Sequence, residues 1–378
     1  MLIALLILVA AVCILAVVYP YLIYPTLLAA TKARPIQLGA PECGDGADFT
    51  LLFSAYNEAS AMPQKLANLR DLRCRYPAMQ FMAFDDGSSD GTADLIARDA
   101  PFVQLIRGGG RNGKAHGMKL MARQASTPVL VFTDANVLLD LDAPQALAAC
   151  YSDSSVGGVC GALHYLGADG SSTAAVGGLY WRLEERIKDL ESRSGSVMGA
   201  DGSIFSIRAE LYPEFPDTVL DDFTVSMSVV FNGLRLIKSN AVIAYEQLVS
   251  SRGDEFARKV RIAARAYHTH SELTSKRRKL SLANRFRYFS HKTLRWFGGA
   301  FLLAGAASGI AAVSLMWPLA GVVVGVLIGT MIVIGIYTHK GPISSVLEIV
   351  LAMLATLQGV ARAARGQTFA VWNPAKSR

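Results

Sequence analysis

The sequence predicts an α/β fold: a mixed, mainly parallel sheet flanked by helices, attached to one N-terminal and two to three C-terminal membrane helices. Three observations predict it. Short apolar β-type runs alternate with helical patterns from residue 49 to about 165, as in parallel strands joined by crossover helices that cover both faces. Long uncharged apolar stretches lie near both ends of the chain. The composition is also too apolar for a protein wholly in water, with 52% hydrophobic residues and a mean hydropathy of +0.33.

The 378 residues suffice for one sizeable globular domain with further segments. The net charge of +7 is modest and unevenly placed, and no nucleic-acid partner is expected. Cys13, Cys43, Cys74, Cys150 and Cys160 form an odd, scattered set with no C-x-x-C pair. That pattern argues against a disulfide framework or zinc site and fits a reducing cytoplasm.

Residues 2–30 contain no charged side chain, and roughly 20 apolar residues suffice to cross a bilayer as a helix. A cleaved signal peptide would need a basic start, a shorter apolar core and a small-residue cleavage site. Residues 1–31 are therefore read as a transmembrane helix, and Lys32 and Arg34 place its carboxyl-terminal side in the cytoplasm. Residues 32–48, with Pro, Gly and acidic side chains, are a linker into a domain spanning 49–275.

Within that domain, strands are predicted at 50–54, 80–84, 102–106 and 129–133. Helices are predicted at 58–73, 92–98, 114–124 and near 144–151. Residues 166–250 are less regular, with a helix at 174–191, a turn and strand at 199–208 and a helix at 219–231; a long basic helix occupies 254–272. Ligands of such sheets bind at the carboxyl ends of the strands. Those ends read S-A-Y-N-E, D-D-G-S-S-D-G-T, R-G-G-G-R-N-G-K and T-D-A-N.

These polar turns carry the candidate chemistry. Asp85 and Asp86 can accept hydrogen bonds from a base or ribose, whereas Ser89 or Asp90 suits capping of the next helix. Gly-rich residues 108–114 have the spacing of a phosphate-cradling loop, with Arg111 and Lys114 as phosphate contacts. Ala115 stands where a nucleotide-hydrolysing P-loop has Ser or Thr, so that class is set aside. Asp134 and Asn136, at the end of an apolar strand, present two oxygen side chains to a hard divalent cation. Asp221 and Asp222 open a helix, where the helix dipole favours acids; one of them can serve as a general base. Arg258, Arg261, Arg265 and His268 share one helical face, suited to a diphosphate or to anionic headgroups.

From residue 276 the character changes. The basic run 276–279 and the residues up to 297 read as an amphipathic interfacial segment, with Leu282, Phe286 and Phe289 on one face. Residues 298–316 and 318–337 are charge-free and read as a membrane hairpin; 342–360 is a third candidate containing Glu348, within a membrane region of 298–362. If all three cross, the basic tail 363–378 lies outside, against the positive-inside tendency. A re-entrant or interfacial third helix keeps it inside, and both topologies stay open.

The ordered set S-A-Y-N-E (54–58), D-D-G-S-S-D-G-T (85–92), R-N-G-K-A (111–115), T-D-A-N (133–136), L-D-D-F (220–223) and R-K-V-R-I (258–262) resembles the family 2 glycosyltransferases with the GT-A fold, in their integral-membrane branch. The resemblance covers residues 49–270 or so, and V-W-N-P at 371–374 is similar to the tails of such enzymes. It implies that Tyr56, Glu58, Asp85, Asp86, Arg111, Lys114 and Asp134 bind a nucleotide-diphosphate sugar, with a UDP-sugar favoured. It implies Mn²⁺ or Mg²⁺ at Asp134 and Asn136, and Asp222 as catalytic base with Asp221 beside it. Arg261 would brace the leaving diphosphate, and Gly199, Asp201 and Ser203 would lie near a lipid-linked or glycan acceptor. Two positions depart from the family pattern: Asn136 replaces an acid, and Ile262 stands where processive synthases have Trp. The expected function is inverting sugar transfer in cell-surface or exopolysaccharide synthesis at the inner membrane, with the catalytic domain cytoplasmic. Transfer to a single lipid acceptor and a non-catalytic sugar-nucleotide-binding subunit are the alternatives.

Overall fold

The computed structural model describes residues 1–40, 44–166, 172–247, 252–338 and 341–367. The V-W-N-P stretch at 371–374 and the tail cations Lys376 and Arg378 lie outside the described residues. The chain enters through α1 (Leu2–Val18), a π-helical turn at Tyr19–Ile23 and α2 (Tyr24–Ala30). The π turn falls where Pro20 and Pro25 remove backbone donors from the regular ladder.

The α/β unit then alternates as β1 (Phe49–Ala55), α3 (Met62–Arg75), β2 (Gln80–Asp85), α4 (Thr92–Asp99), β3 (Gln104–Arg107), α5 (Lys114–Gln124) and β4 (Val129–Asp134). It continues through β5 (Leu138–Leu139), α6 (Ala143–Tyr151), β6 (Val156–Leu166), α7 (Ser172–Ser194), β7 (Ile204–Arg208), α8 (Asp221–Phe231), β8 (Arg235–Gln247) and α9 (Arg252–Glu272). The eight strands form one sheet in the order β3-β2-β1-β4-β7-β6-β8-β5. The pairs among β3, β2, β1 and β4, and the pair β6–β8, are parallel, whereas β7 runs antiparallel to both neighbours.

Both faces of the strands are buried, so the strands read as continuous apolar runs. On one face Leu51, Phe53, Phe81 and Val131 pack with Leu66, Leu69 and Leu72 of α3. On the other, Leu52, Met82, Phe84 and Phe132 pack with Met118 and Met121 of α5 and Met227 of α8. Each fully buried Leu or Phe contributes roughly 1.5–3 kcal/mol. Registers Ser54↔Asp134 and Ala55↔Asp85 bring the three polar turns to one rim.

Several expected boundaries move for local reasons. The helix expected from residue 58 begins at Met62. Asn57 adopts φ +52°, and residues 57–59 are laced to the next turn: Asn57 Oδ1 accepts from the Ser89 N–H at 2.9 Å, and the Glu58 N–H donates to Thr92 Oγ1 at 2.9 Å. The strand expected at 102–106 shifts to Gln104–Arg107, after a turn in which the Val103 N–H donates to the Ala100 carbonyl. The long strand β6 (Val156–Leu166) was not expected, and the long strand β8 (Arg235–Gln247) lies in the region that looked irregular.

Beyond α9, the segment read as one amphipathic helix is broken into α10 (Thr274–Arg277), α11 (Leu282–Tyr288), a π-helical turn at Phe289–Thr293 and α12 (Leu294–Trp296). Leu282, Phe286 and Phe289 are exposed as expected. His291 is fully buried, with Nε2 2.8 Å from Glu184 Oε1 and Nδ1 2.9 Å from Glu191 Oε1. The chain ends in α13 (Gly298–Met316), α14 (Pro318–Tyr337) and α15 (Pro342–Ala364). Together with residues 2–30, these make four helical stretches long and apolar enough to cross a membrane. α13 packs on α1 and α14. α15 instead runs along α9, and at Gly359 the two backbones are so close that a Cβ would lie 2.5 Å from the Val260 carbonyl oxygen.

Candidate active site

The rim above β1, β2 and β4 gathers most of the motif residues. Lys114, the first residue of α5, reaches across to Asp134 at the end of β4, with Nζ 2.6 Å from Oδ1. The same ammonium is 3.9 Å from Asp221 Oδ2, and Arg265 of α9 is 4.0 Å from Asp221 Oδ1. A Cβ on Gly202 would lie 3.0 Å from Lys114 Nζ and 3.1 Å from Asp222 Oδ2, so the loop before β7 closes over both groups. Three carboxylates and two cations share this pocket.

The charges set one another's protonation. Burial alone would lower the Lys114 ammonium, but Asp134, Asp221 and Asp222 together hold it above its ordinary value. Asp222 is pushed up to about 7, first by burial and then by the charge of Asp221. Its Oδ1 accepts from the Phe223 N–H at 2.7 Å, a bond made within the start of its own helix. A carboxylate raised in this way is a stronger base than an ordinary one and is suited to take a proton.

The turns after β2 and β3 form a second part of the site. Asp86 accepts from the backbone N–H groups of Asn112 and Gly113, at 2.7 and 2.9 Å, and from Arg111 Nε at 3.2 Å. It therefore holds the glycine-rich loop in place. Asp85 accepts from the Ser88 N–H at 3.2 Å through Oδ2, while its buried Oδ1 has no hydrogen-bond partner among the described residues. A buried carboxylate oxygen without a donor is where a ligand N–H or hydroxyl belongs. The Arg111 guanidinium lies over the Tyr56 ring, 3.3 Å from its centroid. Glu58 is buried at the foot of the same turn.

Asn136 Nδ2 donates to Glu246 Oε1 of β8 at 2.9 Å. Sequence reasoning missed Glu246, and it also missed Lys65. The Lys65 side chain is fully buried and donates to Thr133 Oγ1, the Asp134 carbonyl and the Val137 carbonyl at 2.9, 3.3 and 2.6 Å. It staples the turn that carries Asp134 and Asn136. Burial, only partly opposed by Asp134, lowers its ammonium to about 7. A signal for Lys65 was present: it falls in register with Met62, Leu66 and Leu69 on the apolar face of α3.

In the turn expected to lie near an acceptor, Gly199 has φ +94° with Phe223 packed where a Cβ would sit, so only glycine fits there. Asp201 is ion-paired to the buried Lys188 of α7 and accepts from the Ser203 N–H at 3.3 Å. Of the α9 stripe, Arg265 donates to the Val219 carbonyl at 2.9 Å and His268 Nε2 lies 3.0 Å from Thr218 Oγ1. These two face the start of α8, and Arg261 lies about one turn earlier.

The donor set suits a hard cation. Asp134 keeps one oxygen not engaged by Lys114 and is partly open to solvent. Among the described residues no cluster of three or more His, Cys, Asp or Glu could enclose a metal ion. Such a site matches an ion held by one or two protein oxygens, with substrate phosphates and water completing its shell.

Over 228 residues the chain is 26% identical to the poly-β-1,6-N-acetyl-D-glucosamine synthase of Staphylococcus aureus strain COL, covering 57% of this chain and 53% of that one. The synthase of the same name from Staphylococcus epidermidis is 32% identical over 100 residues, covering 25% of this chain and 23% of that one. The chain thus spans about half the length of the first of these relatives. The fold is shared with a mannosyltransferase from Pyrobaculum calidifontis solved in complex with GDP-Man and Mn²⁺, at a TM-score of 0.74 and 20% identity, covering 96% of this chain and 99% of that one. The sheet is accordingly of the GT-A type. Residues 50–214 match the family model for Glycosyl transferase family 2.

Proposed function

We propose that the chain is a membrane-bound inverting glycosyltransferase that moves a sugar from a nucleotide-diphosphate donor, a UDP-sugar, to a lipid-linked or glycan acceptor in exopolysaccharide synthesis. The observation that carries this reading is the raised Asp222 carboxyl beside the Lys114–Asp134 pair. The polymer named for the staphylococcal relatives supports the product class.

In this mechanism Asp222 accepts the proton of an acceptor hydroxyl as that oxygen attacks the anomeric carbon. The nucleotide diphosphate departs on the opposite side. Asp85, through its unpartnered oxygen, and Tyr56 receive the base or ribose. Lys114, Arg111, Arg261 and Arg265 place positive charge where the leaving diphosphate develops its own. Asp134 would hold Mn²⁺ or Mg²⁺, which would supply further positive charge to the same phosphates. Lys65 and the Asn136–Glu246 bond keep the turn at the end of β4 fixed during turnover.

We assign the catalytic unit to 49–275 on the cytoplasmic side of the inner membrane. α1, α13 and α14 cross, and α15 lies along the cytoplasmic surface against α9. That topology leaves Arg362 and Arg365 inside, as the positive-inside tendency demands. Ile262, in place of the Trp of processive synthases, favours transfer of one sugar to a lipid as the second reading; product sizing distinguishes the two. The primary test is nucleotide release from UDP- and GDP-sugars by the purified full chain with Mn²⁺. Asp222→Asn is expected to stop release while donor binding persists. Unchanged release in that variant overturns the assignment of the base.

A further inference from the structure

A cavity of about 260 Å³ lies where α9, α10 and α11 meet. Arg277, Arg278 and Arg285 line it together with Tyr288 and Phe289. Among the described residues none of these three arginines forms an ion pair with a carboxylate. Arg277 is half fixed: Nε donates to the His270 carbonyl at 3.1 Å, one terminal nitrogen donates to Thr274 Oγ1 at 2.8 Å, and the guanidinium stands 5.4 Å from the Tyr288 ring centroid. Arg278 and Arg285 make no side-chain hydrogen bond to the described protein and are exposed at the mouth. The imidazole of His270, also in the wall, is lowered to about 4 by burial and by Arg277, so the arginines alone supply the charge.

The surroundings identify the anion. Phe289 belongs both to the cavity wall and to the exposed apolar strip with Leu282 and Phe286 on α11. Leu280 and Tyr288 add apolar wall next to the guanidinium groups. A free inorganic anion has no use for that apolar side, whereas a phosphate continued by glycerol and acyl chains matches both parts. None of the lining residues belongs to the Asp134–Asp222 cluster.

We propose that this cavity binds the headgroup phosphate of an anionic phospholipid and seats the catalytic domain on the bilayer through it. The inference rests on the membrane reading but not on the transferase reading, so each can fail alone. The test uses the full chain, purified in detergent and stripped of lipid. Binding of short-chain phosphatidylglycerol, short-chain phosphatidylcholine and inorganic phosphate is followed by native mass spectrometry and by the shift in unfolding temperature. Phosphatidylglycerol is expected to bind saturably, roughly tenfold or more tighter than phosphatidylcholine, and to raise the unfolding temperature. The double variant Arg278→Gln with Arg285→Gln is expected to lose that preference while its lipid-free unfolding temperature and nucleotide release stay unchanged. The charge-keeping Arg278→Lys with Arg285→Lys is expected to retain most of it. Equal binding of the two lipids, or an unaltered preference in the Gln variant, overturns the proposal. Inorganic phosphate that competes as well as phosphatidylglycerol overturns the lipid as its occupant.

Discussion

Two of the ionic clusters among the described residues are built from the same kinds of side chain. At the rim, Asp134, Asp221 and Asp222 outnumber Lys114 and Arg265. At the base of α7, Glu184 and Glu191 are met by His291, Lys292 and Arg295, and the Tyr24 hydroxyl donates to Glu191 at 2.6 Å. The consequences for a carboxylate are opposite. Burial would raise Glu184, but its three basic neighbours hold it well below the usual range, whereas burial and Asp221 lift Asp222 to about 7. A cluster closed within the protein pins elements together, here α7 to α2 and the Phe289–Thr293 turn. A cluster with surplus negative charge is built for something that arrives.

The largest expected effect breaks the rim. Asp222→Asn should lower turnover by about 1,000-fold with donor affinity nearly unchanged, read by nucleotide release and by calorimetric titration of the donor. Asp134→Ala should weaken metal-supported donor binding by at least about 100-fold; in the absence of metal the two proteins should bind donor alike. In the closed cluster, Glu184→Gln strands buried cations and should lower the unfolding temperature by on the order of 5–10 °C. Turnover per folded molecule should survive that change. The smallest effect is the most specific. Asp222 acts ionised, so kcat/KM should rise with pH through about 7, and Asp221→Asn, by removing the neighbouring charge, should move that limb to lower pH. Stability should run the other way: from the ordinary carboxylate range up to about 7 the folded chain keeps a proton that the unfolded chain has lost. Asp222's contribution therefore falls as pH rises through that window. Thermal melts at pH 5 and 8 check this.

The parallel half of the sheet was legible in the sequence because each strand there is an apolar run ended by a polar turn. β6 was hidden by Gly157, Gly158 and Gly161, which remove the β-type side chains from its middle. β8 was hidden by Lys238, Ser239 and Asn240, which interrupt its apolar pattern. The site divided in the same way. Asp134 and Lys114 sit within recognisable turns, but the partners that hold that rim in place come from far along the chain. Glu246 meets Asn136 across 110 positions and Lys65 meets Thr133 across 68. Periodicity is a local signal and carries no information about such meetings.

α9 is a wall of the site through Arg265 and His268, and it is also the surface on which α15 lies along its length. On the proposed topology, a helix shared in this way would set the height of the reaction above the lipid. An acceptor delivered by the bilayer would then be chosen partly by how far its reactive hydroxyl stands from its anchor. Lengthening or shortening the linkage between lipid and sugar would test a dimension of the substrate that no single side chain reads.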